Sequence, residues 1–362
     1  MPLSFTYARR SRRRPDVWKE PDSCLHGGME LPPAGLSWGE YVERWVTECG
    51  GWLPLADQLI HRAQEAVEIA LDPQTVERGL RRLSRRDHTA GGQYGRWMLR
   101  FFGFTSPIEG WVKWLGTYHS RFADLPTGLR LELLATWNRP PISESSLVCW
   151  IEHGIAIAHH SQLDLDTCWN WLARAEQHAG AAGPAAEIEI ALFSAQLEVD
   201  AGDRIEVRRR YHLIEERLAS TTTTLPATDE VAYRARLADL KSRHWSAPAD
   251  GEPDLRRARE YYDAIPDSTV PFASFRKHAG QAYCAWRLGN HDEAHHLALR
   301  AVNDAGDGGL VRMRIQALNM LSRVVPAAEA AFVNERARSM AAALEDENLL
   351  QRVSFCAPPR AS

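Results

Sequence analysis

Seven arginines, Arg78, Arg81, Arg82, Arg85, Arg86, Arg96 and Arg100, lie between Gln74 and Arg100, where the only carboxylates are Glu77 and Asp87. Guanidinium groups at that density form a solvated basic face, pair with acidic residues of the chain or of an acidic protein partner, or hold the phosphate oxygens of a nucleic acid. A second constellation is His291-Asp292-Glu293-Ala294-His295, two histidines one helical turn apart with His296 beside them. A hydrolytic zinc helix of the His-Glu-x-x-His type needs Glu directly after the first histidine; here Asp292 stands there, and no metal site is expected. His159-His160 with Asp164 and Asp166 reads as a helix end and its loop. No Gly-x-Ser-x-Gly is present, and the glycine pairs at 27–28, 50–51 and 91–92 lack the spacing and lysine of a phosphate loop. The expectation is a protein that is not an enzyme and carries no cofactor.

The elements that hold the arginines can be read locally. Asp72 is a helix N-cap, Pro73 takes the first helical position and Glu77 lies early in the helix. Val76, Leu80 and Leu83 make its buried stripe, which leaves Arg78, Arg81, Arg82, Arg85 and Arg86 on or near the exposed face. Residues 55–66 form a short amphipathic helix upstream. Helix, turn, and a helix opening Thr75-Val76-Glu77-Arg78 resemble a helix-turn-helix over residues 50–105, winged if Gly91-Gly92-Gln93-Tyr94-Gly95 is the tip of a wing. The resemblance implies that the second helix enters the major groove, with Arg78, Arg81, Arg82, Arg85, Arg86 and Arg96 on the nucleic acid.

The 362 residues carry 43 Lys+Arg against 47 Asp+Glu, a net charge of −4, so any electrostatic partner must be read by a local patch. Hydrophobic residues make up 44% of the chain and charged ones 25%, ordinary for a chain with a packed core. No apolar run approaches the ~20 residues that cross a bilayer. The arginines at 9, 10, 12, 13 and 14 are followed by no apolar segment, so a secretory signal is not expected. Six scattered cysteines without a Cys-x-x-Cys pair read as reduced thiols of a cytoplasmic protein. Residues 1–35, rich in proline and arginine, read as an irregular arm.

From Leu36 the pattern is helical throughout. Trp38, Trp45 and Trp52 repeat at seven residues until Gly50-Gly51 interrupts, and Trp111, Trp114, Tyr118 and Phe122 read as one helical face, both as core stripes. Eleven of the thirteen tryptophans lie at or before Trp171, while the second half uses Ala and Leu. The shift, with the break at Asn138-Arg139-Pro140-Pro141, predicts a Trp-rich helical domain over 36–140 and helical hairpins over 145–345, with 346–362 as a tail.

One hairpin is explicit. Leu288-Gly289-Asn290-His291-Asp292-Glu293 ends a helix on a left-handed glycine cap, and the next helix presents Ala294, Ala298 and Ala301 to Ala282 and Ala285. Weaker echoes are Ala201-Gly202-Asp203 with Val207, Tyr211 and Ile214; Cys168, Leu172 and Ala175; and Ala258, Tyr262 and Ile265. These phrases resemble the tetratricopeptide repeat, with intervals padded by loops such as 221–224 and 248–253. The resemblance implies an all-α fold in which a concave superhelix binds a partner protein or peptide through Arg276, Lys277, Gln281, Glu187, Ser194 and Glu198. The leading expectation is a non-enzymatic adaptor or sensor; the alternative is a DNA-binding regulator using residues 50–105, with the repeats as effector or dimerisation domain.

Overall fold

The computed structural model describes residues 35–64, 72–202, 204–221, 225–246 and 252–354. The fold is all-α: among the described residues there are seventeen α-helices and no strand. Four short helices come first, α1 (Trp38–Cys49), α2 (Trp52–Gln64), α3 (Pro73–Leu83) and α4 (Gly92–Phe101). Ser37 and Glu40 form a reciprocal capping box at the start of α1, and Gly50 ends it in the left-handed conformation (φ 80°), which a glycine adopts without strain. Asp72 caps α3 as its sequence requires, accepting from the Thr75 N–H at 2.9 Å, with Pro73 at the first helical position. Trp38, Tyr41, Leu55, Leu59, Val76, Leu80, Leu83 and Met98 pack together in the core of this cluster.

No wing is formed. Gly92 opens α4 in the left-handed conformation (φ 65°), while three other glycines make room for rings: a side chain on Gly91 or Gly95 would strike the Trp38 ring, and one on Gly79 the Tyr94 ring. Helix α5 (Ser106–Gly116) follows and the expected aromatic stripe breaks at its end. Gly116 lies directly against the backbone of Trp150 and Thr117 turns extended, so Tyr118 and Phe122 leave the helix for a loop and a short 3-10 turn at Arg121–Asp124.

Helix α6 (Thr127–Trp137) leads into a succession of antiparallel neighbours: α7 (Val148–Ser161) with α8 (Leu165–Ala182), α9 (Pro184–Ala201) with α10 (Arg204–Thr221), α11 (Ala227–Ser246) with α12 (Leu255–Asp263), α13 (Pro271–Arg287) with α14 (His291–Asp307), and α15 (Val311–Leu321) with α16 (Ala327–Ala343). Ala294, Ala298 and Ala301 of α14 are fully buried, and Gly289 takes the left-handed conformation (φ 85°) as the hairpin requires. A last helix, α17 (Glu347–Ser354), occupies part of the expected tail; it packs on α15 and α16 and also touches α7.

The odd-numbered helices α7, α9, α11, α13, α15 and α17 therefore make a row whose end meets its beginning. Hydrogen bonds cement the meeting. The Thr127 N–H donates to the Leu344 carbonyl at 2.9 Å, the Gly128 N–H to Glu345 at 2.9 Å, and the N–H groups of Val311 and Arg312 to the Asp124 carboxylate at 3.0 and 2.8 Å. Asp124 thus satisfies the first free donors of α15 from outside that helix. One continuous core cluster runs from Leu36 across the 138–145 break to Ala317. The arginine arm and the 222–224 and 248–251 parts of the padding loops lie outside the described residues.

Candidate functional site

The arginines of 74–100 are all exposed. Three of them are engaged locally. Arg81 pairs with Glu77 at 2.8 Å and lies over the Trp52 ring, Arg78 donates to the Gln74 carbonyl and the Thr75 hydroxyl, and Arg86 donates to the Ala90 carbonyl. The side chains of Arg82, Arg85 and Arg96 make no hydrogen bond or ion pair among the described residues. Arg78, Arg81 and Arg82 stand on α3, Arg85 and Arg86 on the turn after it, and Arg96 and Arg100 on α4, which packs against both α2 and α3. A packed three-helix cluster thus holds the guanidinium groups on its surface. Arg96 and Arg100 also line a cleft of about 470 Å³ that faces Glu109, Glu144 and Leu147.

The six inner-face residues are placed differently from the expectation of an open binding surface. Ser194 is fully buried and donates to Glu176 at 2.7 Å; Glu198 is buried and pairs with Arg210 at 2.5 Å. Gln281 is buried and donates to Asp263 at 2.7 Å, Lys277 pairs with Asp267 at 2.7 Å, Glu187 pairs with Arg217, and Arg276 pairs with Asp239 at 3.0 Å. Each is spent on a bond between neighbouring elements. Five of these bonds run to α8, α10, α12 or the loop after α12, and that of Arg276 alone runs along the odd-numbered row, to α11. Residues 117–125 cross the odd-numbered row: Tyr118 packs on Phe193 of α9, His119 on Tyr233 of α11 and Phe272 of α13, and Asp124 on α15.

Around that segment the row carries charge. Glu189, with no exposure, accepts from the Tyr118 N–H at 3.0 Å and pairs with Arg236, itself 3% exposed. Burial raises the Glu189 pKa, but Arg236 and the neighbouring His119 and His153 outweigh it and hold the carboxyl below its ordinary value. The Arg236 and Arg312 guanidinium carbons lie 4.5 and 5.1 Å from the centre of the Tyr118 ring. Burial opposes ionisation of Tyr118, yet Arg312, Arg276, Arg236 and Arg352 bring its phenol down to about 8. Three histidines sit nearby as neutral groups: burial, their largest influence, pushes His119, His153 and His160 down to about 4. His153 Nδ1 donates to the Gly116 carbonyl at 2.7 Å, since a carbonyl only accepts.

None of these residues stands out in the sequence. Arg236, Arg312, Glu189 and Tyr118 belong to no motif; the one available signal is polar residues at positions where the helical period calls for core. The His291–His295 pair opens α14, with Glu293 bonded to Arg259 at 2.6 Å, and no group of three metal-ligating residues is assembled among the described residues. Cys149, Cys168 and Cys284 are buried free thiols, pushed up by burial to about 12, 12 and 11. No helix of the described residues is long and apolar enough to cross a membrane. Comparison with protein-family models, with curated proteins and with solved structures gives no match for this chain.

Proposed function

We propose that this chain is a DNA-binding regulatory protein, in which the α2–α4 cluster contacts the phosphate backbone and the tetratricopeptide-like helical pairs form the effector part. The observation that carries this reading is seven exposed arginines, Arg78, Arg81, Arg82, Arg85, Arg86, Arg96 and Arg100, against two local carboxylates, Glu77 and Asp87, with the side chains of three of them making no hydrogen bond or ion pair among the described residues. Unpaired guanidinium groups on a surface are free to replace counterions at phosphates, which makes such binding strong at low salt and weak at high salt. The partner-protein reading asks for an open inner face, and the six residues that would supply it are engaged with their own neighbours.

The test replaces Arg82, Arg85 and Arg96 together by Gln, since none of these side chains supports the fold through a bond. Binding of labelled duplex DNA is followed by fluorescence anisotropy from 50 to 300 mM salt. Each lost phosphate contact removes about 0.9 from the slope of log affinity against log salt. Loss of three contacts therefore flattens the slope by about 2.7, with an unchanged circular dichroism spectrum. Native protein that binds no DNA at 50 mM salt, or a triple variant with the native slope, overturns the reading.

A further inference from the structure

We propose that the inner ring around Tyr118 is a binding site for a small oxyanion, a phosphate or carboxylate group, held by Arg236, Arg312, Arg276 and Arg352. The site is independent of the arginine face on α3 and α4.

The first support is convergence. Four guanidinium groups from four different helices, α11, α13, α15 and α17, act on one phenol that enters from the 117–125 segment. Tyr118 and Arg312 meet because α15 packs on the 117–125 segment, so the arrangement exists only in the folded chain. The second support is incomplete bonding. Arg236 and Arg312 are 3% and 4% exposed, yet Arg236 Nη2 and Arg312 Nη1 are buried donors without a hydrogen-bond acceptor. A buried guanidinium donor left unpaired is costly, and an oxyanion supplies the missing lone pairs two at a time. Arg276 adds a third such donor, its Nε.

Partial neutralisation tunes the site. Glu189 answers Arg236, Asp239 answers Arg276 and Asp346 lies 3.4 Å from Arg312, while Asp200 is shared by Arg243 and Arg352. Arg130 and Asp124 also lie within the field of Arg312, so six guanidinium groups stand against five carboxylates and one positive charge is left for a ligand to balance. Access comes from the Arg352 end: its side chain is 42% exposed and that of Arg243 is 28% exposed, although both are within electrostatic range of the buried phenol. Solvent-reachable cations leading to buried, under-bonded ones make an electrostatic funnel for an anion.

The experiment titrates the full chain with inorganic phosphate and, separately, with citrate, at matched chloride concentration, by calorimetry and by the rise in Tm. Absorbance at 295 nm at pH 8.5 reports on Tyr118. An anion among the four arginines cancels their field, so the phenolate signal falls on binding, and Tyr118→Phe abolishes that change. Arg352→Gln, at the exposed end and outside the packed core, is expected to weaken binding at least tenfold. The arginine-face variant with Gln at 82, 85 and 96 is expected to keep native affinity for the anion, which separates this site from the DNA-binding reading. Phosphate saturation without citrate binding identifies a phosphorylated ligand, and the reverse a carboxylate one. Neither anion raising Tm at millimolar concentration, or binding that Arg352→Gln leaves unchanged with no fall at 295 nm, overturns the proposal.

Discussion

Acidification should unfold this protein through its buried histidines. His153 has no exposure and His160 only 5%, and both are pushed from the ordinary 6.5 to about 4 by burial. The folded pKa lies below the unfolded one, so the unfolded chain binds more protons between pH 6.5 and 4. Stability is therefore fully present above about pH 6.5 and is lost as pH falls through that window. Between pH 7 and 5.5 each such group costs about 1.2 kcal/mol, so the pair costs about 2.5 kcal/mol. Against a total stability of about 5–15 kcal/mol that loss is readily measured. Glu152 and Glu198, raised by burial, oppose it, so a variant must isolate the histidine contribution. His153→Asn keeps a donor toward the Gly116 carbonyl and removes the titration. Urea unfolding followed by tryptophan fluorescence at pH 7 and 5.5 should show the variant losing about 1.2 kcal/mol less than the native chain. Equal losses in the two proteins would refute the reasoning.

Two further outcomes follow from packing. Gly116→Ala should destabilise the fold by about 1–3 kcal/mol, because its methyl meets the Trp150 backbone, which cannot yield as a side-chain tip can; urea midpoints check this against Gly103→Ala, where a left-handed φ but open space predicts a smaller loss. In native protein at pH 8, Cys149, Cys168 and Cys284 should stay unalkylated while Cys49 reacts, since burial keeps the three as thiols; peptide mapping by mass spectrometry after timed iodoacetamide reads the order, and early modification of Cys168 would contradict the core packing around it.

What the residues determine locally, the sequence alone discloses. The Asp72-Pro73 start of α3, its Val76–Leu80–Leu83 stripe, the end of α1 at Gly50 and the Gly289 cap each depend on neighbours within about four positions, and each is found as read. The exposure of the arginines on α3 follows from the same periodicity. The Trp111–Phe122 stripe is core, as its spacing predicts, but it leaves the helix at Gly116, and no wing forms, because spacing does not reveal a distant ring or backbone. Trp38 lies on Gly91 and Gly95, and Trp150 meets Gly116.

The inner face shows the same limit more strongly. Glu187, Ser194, Glu198 and Gln281 lie on helices, as the hairpin pattern requires, but whether they meet solvent depends on what covers them. Helix α9 is buried almost all round, so its own periodicity carries no inward or outward sign. Tertiary closure brought residues 117–125 into the row and placed Asp124 on α15 and α17 beside α7. Charges nearly two hundred positions apart, Tyr118 with Arg312, then became neighbours, because burying a guanidinium is tolerable only where folding gathers partners that no local stretch of chain contains.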